Sequence, residues 1–446
     1  MKGPKKPSEY LSEFSRALDE NVENWTVYNS HDPSIFADNG VYYILSTDTK
    51  TSSSNSELNA GGQIRKSTNL LDWEWVGRAF EGVPQTAYEW TEAKGLWAPE
   101  VAKWDDKYFL YYCASQFGTN QSFIGVATST SMEGPWIDQG EVYKTSKTDR
   151  PNAIDPNIVF DRNQHPYLIY GSFFGGIYAA KLDRSTGKLL EPGEGVCIAR
   201  RENETKEGAV EGPYMIYRHE EDMYYLFVSY DSLFSNYNVR VGRSSEITGP
   251  FLDYNGLDLA DITSRPSDEI GTKILAGYKF QDGGGWMAPG HNSILEEDGD
   301  YFICHHARML EKKDIFCLHI RRIVWTEDGW PLVSPERYTG EVLERIDSTA
   351  IIGSWDAVKF ERLVEGVHES FDLQFLADHQ LKMNNEIYNW IKTDIYTCKL
   401  FHEDDNINEV AELKILKAWD WERDCETLVF TGMDANGTCM FGKKIE

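Results

Sequence analysis

Residues Asp155–Ser172 read DPNIVFDRNQHPYLIYGS. A start containing Pro leads into the apolar run Asn157–Phe160, a polar stretch turns the chain, and the aromatic run Tyr167–Tyr170 follows. Two runs rich in β-branched and aromatic residues on either side of turn formers are the signature of a β-hairpin. The layout recurs in HDPSIFADNGVYYILST from His31, APEVAKWDDKYFLYYCAS from Ala98, EGPYMIYRHEEDMYYLFVSY from Glu211 and GHNSILEEDGDYFICHHAR from Gly290. After each hairpin comes a strand carrying small and basic residues: GQIRKST, FIGVATSTS, GIYAAKLD, NVRVGRSS and CLHIRRIVW. A fourth short strand follows, clearest in DWEWVG, GPWIDQG and GWPLVSP. Four antiparallel strands, repeated five times at intervals of 56 to 79 residues, predict an all-β fold, a five-bladed β-propeller. The innermost strand of a blade comes first in its repeat, so the repeat starts face a central funnel at one end of the axis.

Around Arg345 the pattern stops. From IIGSWDAVKF (351–360) onward the stretches ESFDLQFL, IKTDIYTCKLF, AELKILKAWDW, ETLVFTGM and TCMFGKKI alternate as short strands, and they predict a small antiparallel β-barrel. The expected organisation is an N-terminal segment over 1–27, the propeller over 28–345 and the barrel domain over 346–446. Within the first segment, PSEYLSEFSRALDENV (7–22) reads as one short helix across the propeller closure. The stretch from Asp253 to Gly285 reads as a long insertion before blade five that closes one side of the funnel.

Composition narrows the partners. A formal charge of -28 and a pI near 4.8 repel phosphate backbones and anionic lipid, which argues against nucleic acid and membrane partners and favours a neutral ligand. Aromatics make up 13% of the 446 residues, which suits all-β packing and sugar-stacking surfaces alike. The seven cysteines are scattered, with no Cys-x-x-Cys spacing, so neither a zinc site nor a disulfide framework is indicated. The N-terminus has a basic start but no apolar core, unlike a signal peptide. Cytoplasmic residence and prior removal of an export signal both fit.

Three repeat starts carry an acid beside a Pro: Asp32 in HDPSI, Asp155 in DPNI and Glu211 in VEGPY. The Pro restricts the neighbouring backbone towards extended forms and aims each acid from the mouth of an inner strand. One such acid alone reads as a turn cap or a solvated charge. Three at the same phase of a repeat converge on one hollow, where burial and mutual repulsion separate their pKa values. Paired carboxyls of unequal pKa are the equipment of glycoside hydrolysis.

HDPSI, WAPE, DPNI, EGPY and GHNSI followed by HHAR resemble, in this order over residues 28 to 345, the landmarks of glycoside hydrolase family 43, and within it the arabinanases. The resemblance implies inverting hydrolysis of α-1,5-linked arabinan or arabino-oligosaccharides, with Asp32 as general base, Asp155 as the group that orients the acid and raises its pKa, and Glu211 as general acid. It also implies a calcium ion on the propeller axis, mostly water-coordinated, with His306 as its one direct protein ligand and His305 as the alternative. Read from the residues alone, both are equally core histidines of a β run. Sugar contacts are expected from Trp97, Phe117, Asn157, Ser172, Phe173 and His291, with Trp286 at the cleft rim. The opening GSW of the last domain resembles the lipocalin-like barrels of longer arabinanases, for which structural support is the expected role. Endo against exo action, a β-xylosidase or α-L-arabinofuranosidase on the same fold, and an inactive carbohydrate-binding propeller remain as alternatives. Oligomeric state is open.

Overall fold

The structure, a computed structural model, describes residues 3–202, 208–263, 266–384, 386–403 and 408–445. Five antiparallel sheets follow one another along the chain. Their innermost strands are Ser34–Asp38, Trp97–Trp104, Asn157–Phe160, Val210–Arg218 and Trp286–Glu297. Each pairs with the next strand in sequence, as the hairpin reading requires. Blade three splits its outer edge between Lys188–Leu189 and Val196–Ala199, both paired to Ile177–Asp183.

The apolar runs are dense because both faces of every sheet are buried. One core lies between each pair of adjacent blades: Leu45, Ile64, Val101 and Leu110 between one and two, and Tyr111, Ile124, Leu168 and Tyr178 between two and three. Ile169, Ile177, Leu226 and Val228 fill the third seam, Phe227, Val241, Ile294 and Ile303 the fourth, and Ile35, Ile44, Cys304 and Leu318 the fifth.

At the axis, hydrogen bonds between the inner strands close the ring. Ser34 donates to Glu100, and the Asn157 amide donates to Glu100 at 3.1 Å while accepting from the Met215 N–H at 2.9 Å. The Asn292 amide donates to the Gly212 carbonyl at 3.0 Å, and Ser293 donates to the Pro33 carbonyl at 2.7 Å. Every seam thus holds at least one directional tie that fixes the phase of neighbouring blades, and therefore of whatever their first residues carry.

The N-terminal segment does cover the closure between blades one and five, with Leu11, Ala17 and Tyr28 in the fifth core and Tyr28 bridged to Cys317. It does so as three 3-10 turns, Glu9–Ser12, Phe14–Leu18 and Val22–Asn24, and not as the single helix expected. The chain follows the surface it seals, and no α-helical hydrogen-bond ladder outweighs that contact.

Eight strands between Gly353 and Lys444 form a closed barrel. Its interior is filled by Trp355, Phe375, Trp390, Leu413 and Phe430, which makes it a packed core rather than a ligand cavity. Val358, Phe360, Leu416 and Phe441 on its outer side are buried in one continuous core with blades four and five, and Val367–Glu369 adds a parallel strand beside Gly277–Lys279 of the blade-five sheet. The insertion before blade five also differs from expectation. Thr272–Leu275 is the fourth strand of blade four, and the preceding segment turns to the barrel: Asn255 donates to Asn436 and Arg362 pairs with Asp253. Positions 264 and 265 of that range lie outside the described residues. Among its described residues the insertion completes blade four, docks the second domain and reaches Arg201 through Asp268.

Candidate active site

Each inner strand opens on a residue followed by Pro, and all five of these residues have positive φ: Asp32 (52°), Ala98 (32°), Asp155 (56°), Gly212 (57°) and Ala288 (48°). The extended backbone expected before Pro is therefore not what holds the acids. In blades two, four and five this point is a bulge, where two residues oppose one on the partner strand, and bulges re-aim side chains. The phase also needs correcting. Asp32 and Asp155 are equivalent, but the equivalent of both in blade four is Gly212, and Glu211 stands one residue earlier. In a regular strand that offset would turn Glu211 to the other face. The bulge brings it back to the same hollow.

The three acids share that hollow. Asp32 accepts from His31 Nδ1 at 2.9 Å and from Thr47 Oγ1 at 2.6 Å. His291 Nδ1 lies between two acids, 3.6 Å from Asp32 Oδ1 and 3.9 Å from Asp155 Oδ2. Asp155 accepts from the Gly212 N–H at 3.1 Å, which fixes the peptide that follows Glu211. Glu211 accepts from Ser172 Oγ at 2.7 Å and from the Tyr237 hydroxyl. A Cβ at Gly212 would lie 3.0 Å from His291 Cγ, tighter than an ordinary contact, so the imidazole would have to give way by a few tenths of an ångström.

Environment sets the protonation states. Burial opposes ionisation of Asp32, but the neighbouring His31, through charge and hydrogen bond, and then His291 and His306 hold its carboxyl far below the ordinary range. Burial pushes His291 and His306 themselves below the usual imidazole value, so near neutrality the hydrogen bonds from His31 and Thr47 are what stabilise the Asp32 anion. Asp155 is driven well up, by burial first and then by Glu211 and Asp32. Burial lifts Glu211 to about 7 against the hydrogen bonds from Ser172 and Tyr237, with Asp32 adding repulsion. One carboxyl held low thus faces two whose proton affinity is raised.

His306 packs its ring on His31 with centroids 3.6 Å apart. Its Nδ1 is 3.3 Å from the Asp32 N–H and 3.8 Å from Asp32 Oδ1, and its buried Nε2 meets no protein partner among the described residues. His305 lies on the other face of the strand, opposite His319 and near Arg321, and burial lowers it to about 3. A cationic neighbour makes it the poorer metal ligand.

Other expected contacts divide. Trp97 is half-buried at the head of its strand, Phe117 projects into solvent, and Phe173 is half-buried with φ 54°. Ser172 is buried and its hydroxyl is spent on Glu211, so it positions the acid. Asn157 is a correction: both ends of its amide are engaged within the protein, and it ties blades together. Trp286 is another, packed edge-on against His319 at 4.3 Å, on the His305 face and not at a cleft rim. Thr47, Tyr237 and the His31 side chain escaped the sequence reading. Thr47 ends the first hairpin in YYILST, a phase signal that was available; Tyr237 sits in a loop with no such signal.

Carboxyls around one propeller axis, one held low in pKa and two raised, are the equipment used to cleave glycosidic bonds. The sequence matches the model of glycosyl hydrolases family 43 over residues 26–331, and that of the C-terminal lipocalin-like domain over 335–442. The chain belongs to glycosyl hydrolases family 43. It is 28% identical to the extracellular endo-alpha-(1->5)-L-arabinanase of Thermotoga petrophila over 98% of this chain and 97% of the relative. It is 33% identical to extracellular endo-alpha-(1->5)-L-arabinanase 1 of Bacillus subtilis, over 71% of this chain and 92% of that protein. The crystal structure of the T. petrophila endo-1,5-alpha-L-arabinanase superposes with a TM-score of 0.83 at 26% identity, over 94% of this chain and 99% of the other.

Proposed function

We propose that this chain hydrolyses α-1,5-linked L-arabinan by single-step inversion. The observation that carries the reading is the split in protonation around one hollow, with Asp32 ionised and Glu211 holding its proton up to about 7. Full-length similarity to arabinanases supports the substrate. Glu211 gives its proton to the glycosidic oxygen as the C1–O bond breaks. Asp32 takes a proton from the water that attacks C1 from the opposite face, and the new hemiacetal has inverted configuration. Asp155 works through Gly212: by accepting from the N–H of the peptide that follows Glu211 it aims the acid. The test is Glu211→Ala. Turnover of linear arabinan should fall by about 10²–10⁴-fold with unchanged folding, while an activated aryl arabinofuranoside, whose leaving group needs little protonation, should lose far less. Equal losses on both substrates would remove Glu211 from the acid role.

Calcium at the axis is part of the proposal. The buried Nε2 of His306, which meets no protein partner among the described residues, is the ring nitrogen that would hold the ion, while the Asp32 N–H fixes the ring by donating to Nδ1 at 3.3 Å. A calcium ion held there would supply positive charge near the acids. Titration calorimetry should show calcium binding to the native chain and to His305→Ala, and none to His306→Ala; retained binding in the last variant would reject the assignment.

A further inference from the structure

Two phenylalanines meet across the mouth of the funnel. Phe117 lies in loop 115–121, between the second and third strands of blade two, and Phe234 in the matching loop 231–237 of blade four. Their rings contact edge to face with centroids 6.1 Å apart, although they are 75% and 57% exposed. Blades two and four are not neighbours. A contact between their rim loops is therefore a chord over the mouth, with blade three on one side and blades five and one on the other.

The blade-four end of this chord is tied to the chemistry beneath it. The Arg308 guanidinium sits 5.4 Å from the Phe234 ring centroid, donates to the Leu233 carbonyl at 2.9 Å and reaches His31 Nε2 at 3.4 Å. Tyr237, at the end of the same loop, donates to Glu211. Asn236 donates to Glu365 of the barrel domain at 3.2 Å. Neither phenylalanine belongs to a buried cluster that the fold requires. Two flat apolar faces held over a polar hollow fit the face of a sugar ring, and the contact between them, about 0.5–1.5 kcal/mol, is small enough to exchange for that stacking.

Building on the arabinan reading above, we propose that Phe117 and Phe234 form a cross-bar that selects unbranched chains. A single strand of linked furanoses passes the bar with its faces against the rings, whereas arabinose units branching from the main chain collide with it. The experiment compares linear and branched arabinan with the native chain, Phe117→Ala, Phe234→Ala and the double variant, with Phe234→Leu as a control that keeps bulk but loses the flat face. The ratio of kcat/KM on branched over linear substrate should rise about tenfold in the double variant, the factor that roughly 1.4 kcal/mol represents. Thermal unfolding identifies any variant that fails to fold, and if the double variant does, the single alanine variants carry the comparison. An unchanged ratio in folded alanine variants overturns the cross-bar alone. A native chain that cleaves no arabinan overturns the functional reading with it.

Discussion

Glu211 holds its proton to about 7 because its carboxyl is buried beside another anion, against the pull of two hydroxyl donors. The reaction uses the protonated form, so turnover of arabinan should be high below about 7 and fall as pH rises through that value. In Glu211→Ala, the residual turnover of an activated aryl glycoside should lack this alkaline limb. A limb that persists in the variant would mean another group sets it. Asp32 and Asp155 were legible in the sequence because each precedes a Pro at the start of a recognisable repeat. Glu211 was found too, through the Gly-Pro that follows it, but its one-residue offset was not legible. A bulge is a property of two paired strands, and one strand read alone cannot show it. Tyr237 escaped for a related reason: it acts through proximity to the acids, and its loop carries no phase signal, whereas the end of the first hairpin did mark Thr47.

At the scale of the strand, the left-handed residue before Pro is the device that places the site. Blade four uses glycine there, at φ 57°, and the glycine hydrogen leaves room for His291 between Asp32 and Asp155. Gly212→Ala should cost about 1–2 kcal/mol from the backbone conformation alone. It should also displace His291 and reduce kcat roughly tenfold or more, since small misplacements at reacting groups are costly. Thermal unfolding and kcat measured together check this, and an unaltered kcat would show that the close contact with His291 does not matter. The N-terminal turns and the insertion before blade five show where element reading failed. Both segments take their conformation from the surfaces they lie on, the blade seam for one and the barrel for the other, and local propensity carries little of that information.

Across the whole molecule, the barrel and the propeller share a core, with Phe360 and Phe441 packed beside Phe227 and Ile303. The two domains should therefore unfold in one calorimetric transition, and resolved separate transitions would contradict a shared core. Phe360→Ala should destabilise by about 3–5 kcal/mol, and in chemical denaturation both domains should lose structure at the same lowered midpoint. The filled barrel interior fits the supporting role expected for this domain, and the Asn236–Glu365 bond extends that support to the rim of the site.

The residue order by itself determined the five repeats, the strand plan within each, the second domain and the identity of the acids, because hydrophobic period, turn chemistry and Pro placement are local and repeat. Only the tertiary structure decided which carboxyl is ionised, how Glu211 is aimed, which histidine faces the axis and which rings meet over the mouth. Those properties arise from burial and from contacts between blades, and a side chain acquires them only once distant strands have closed around it.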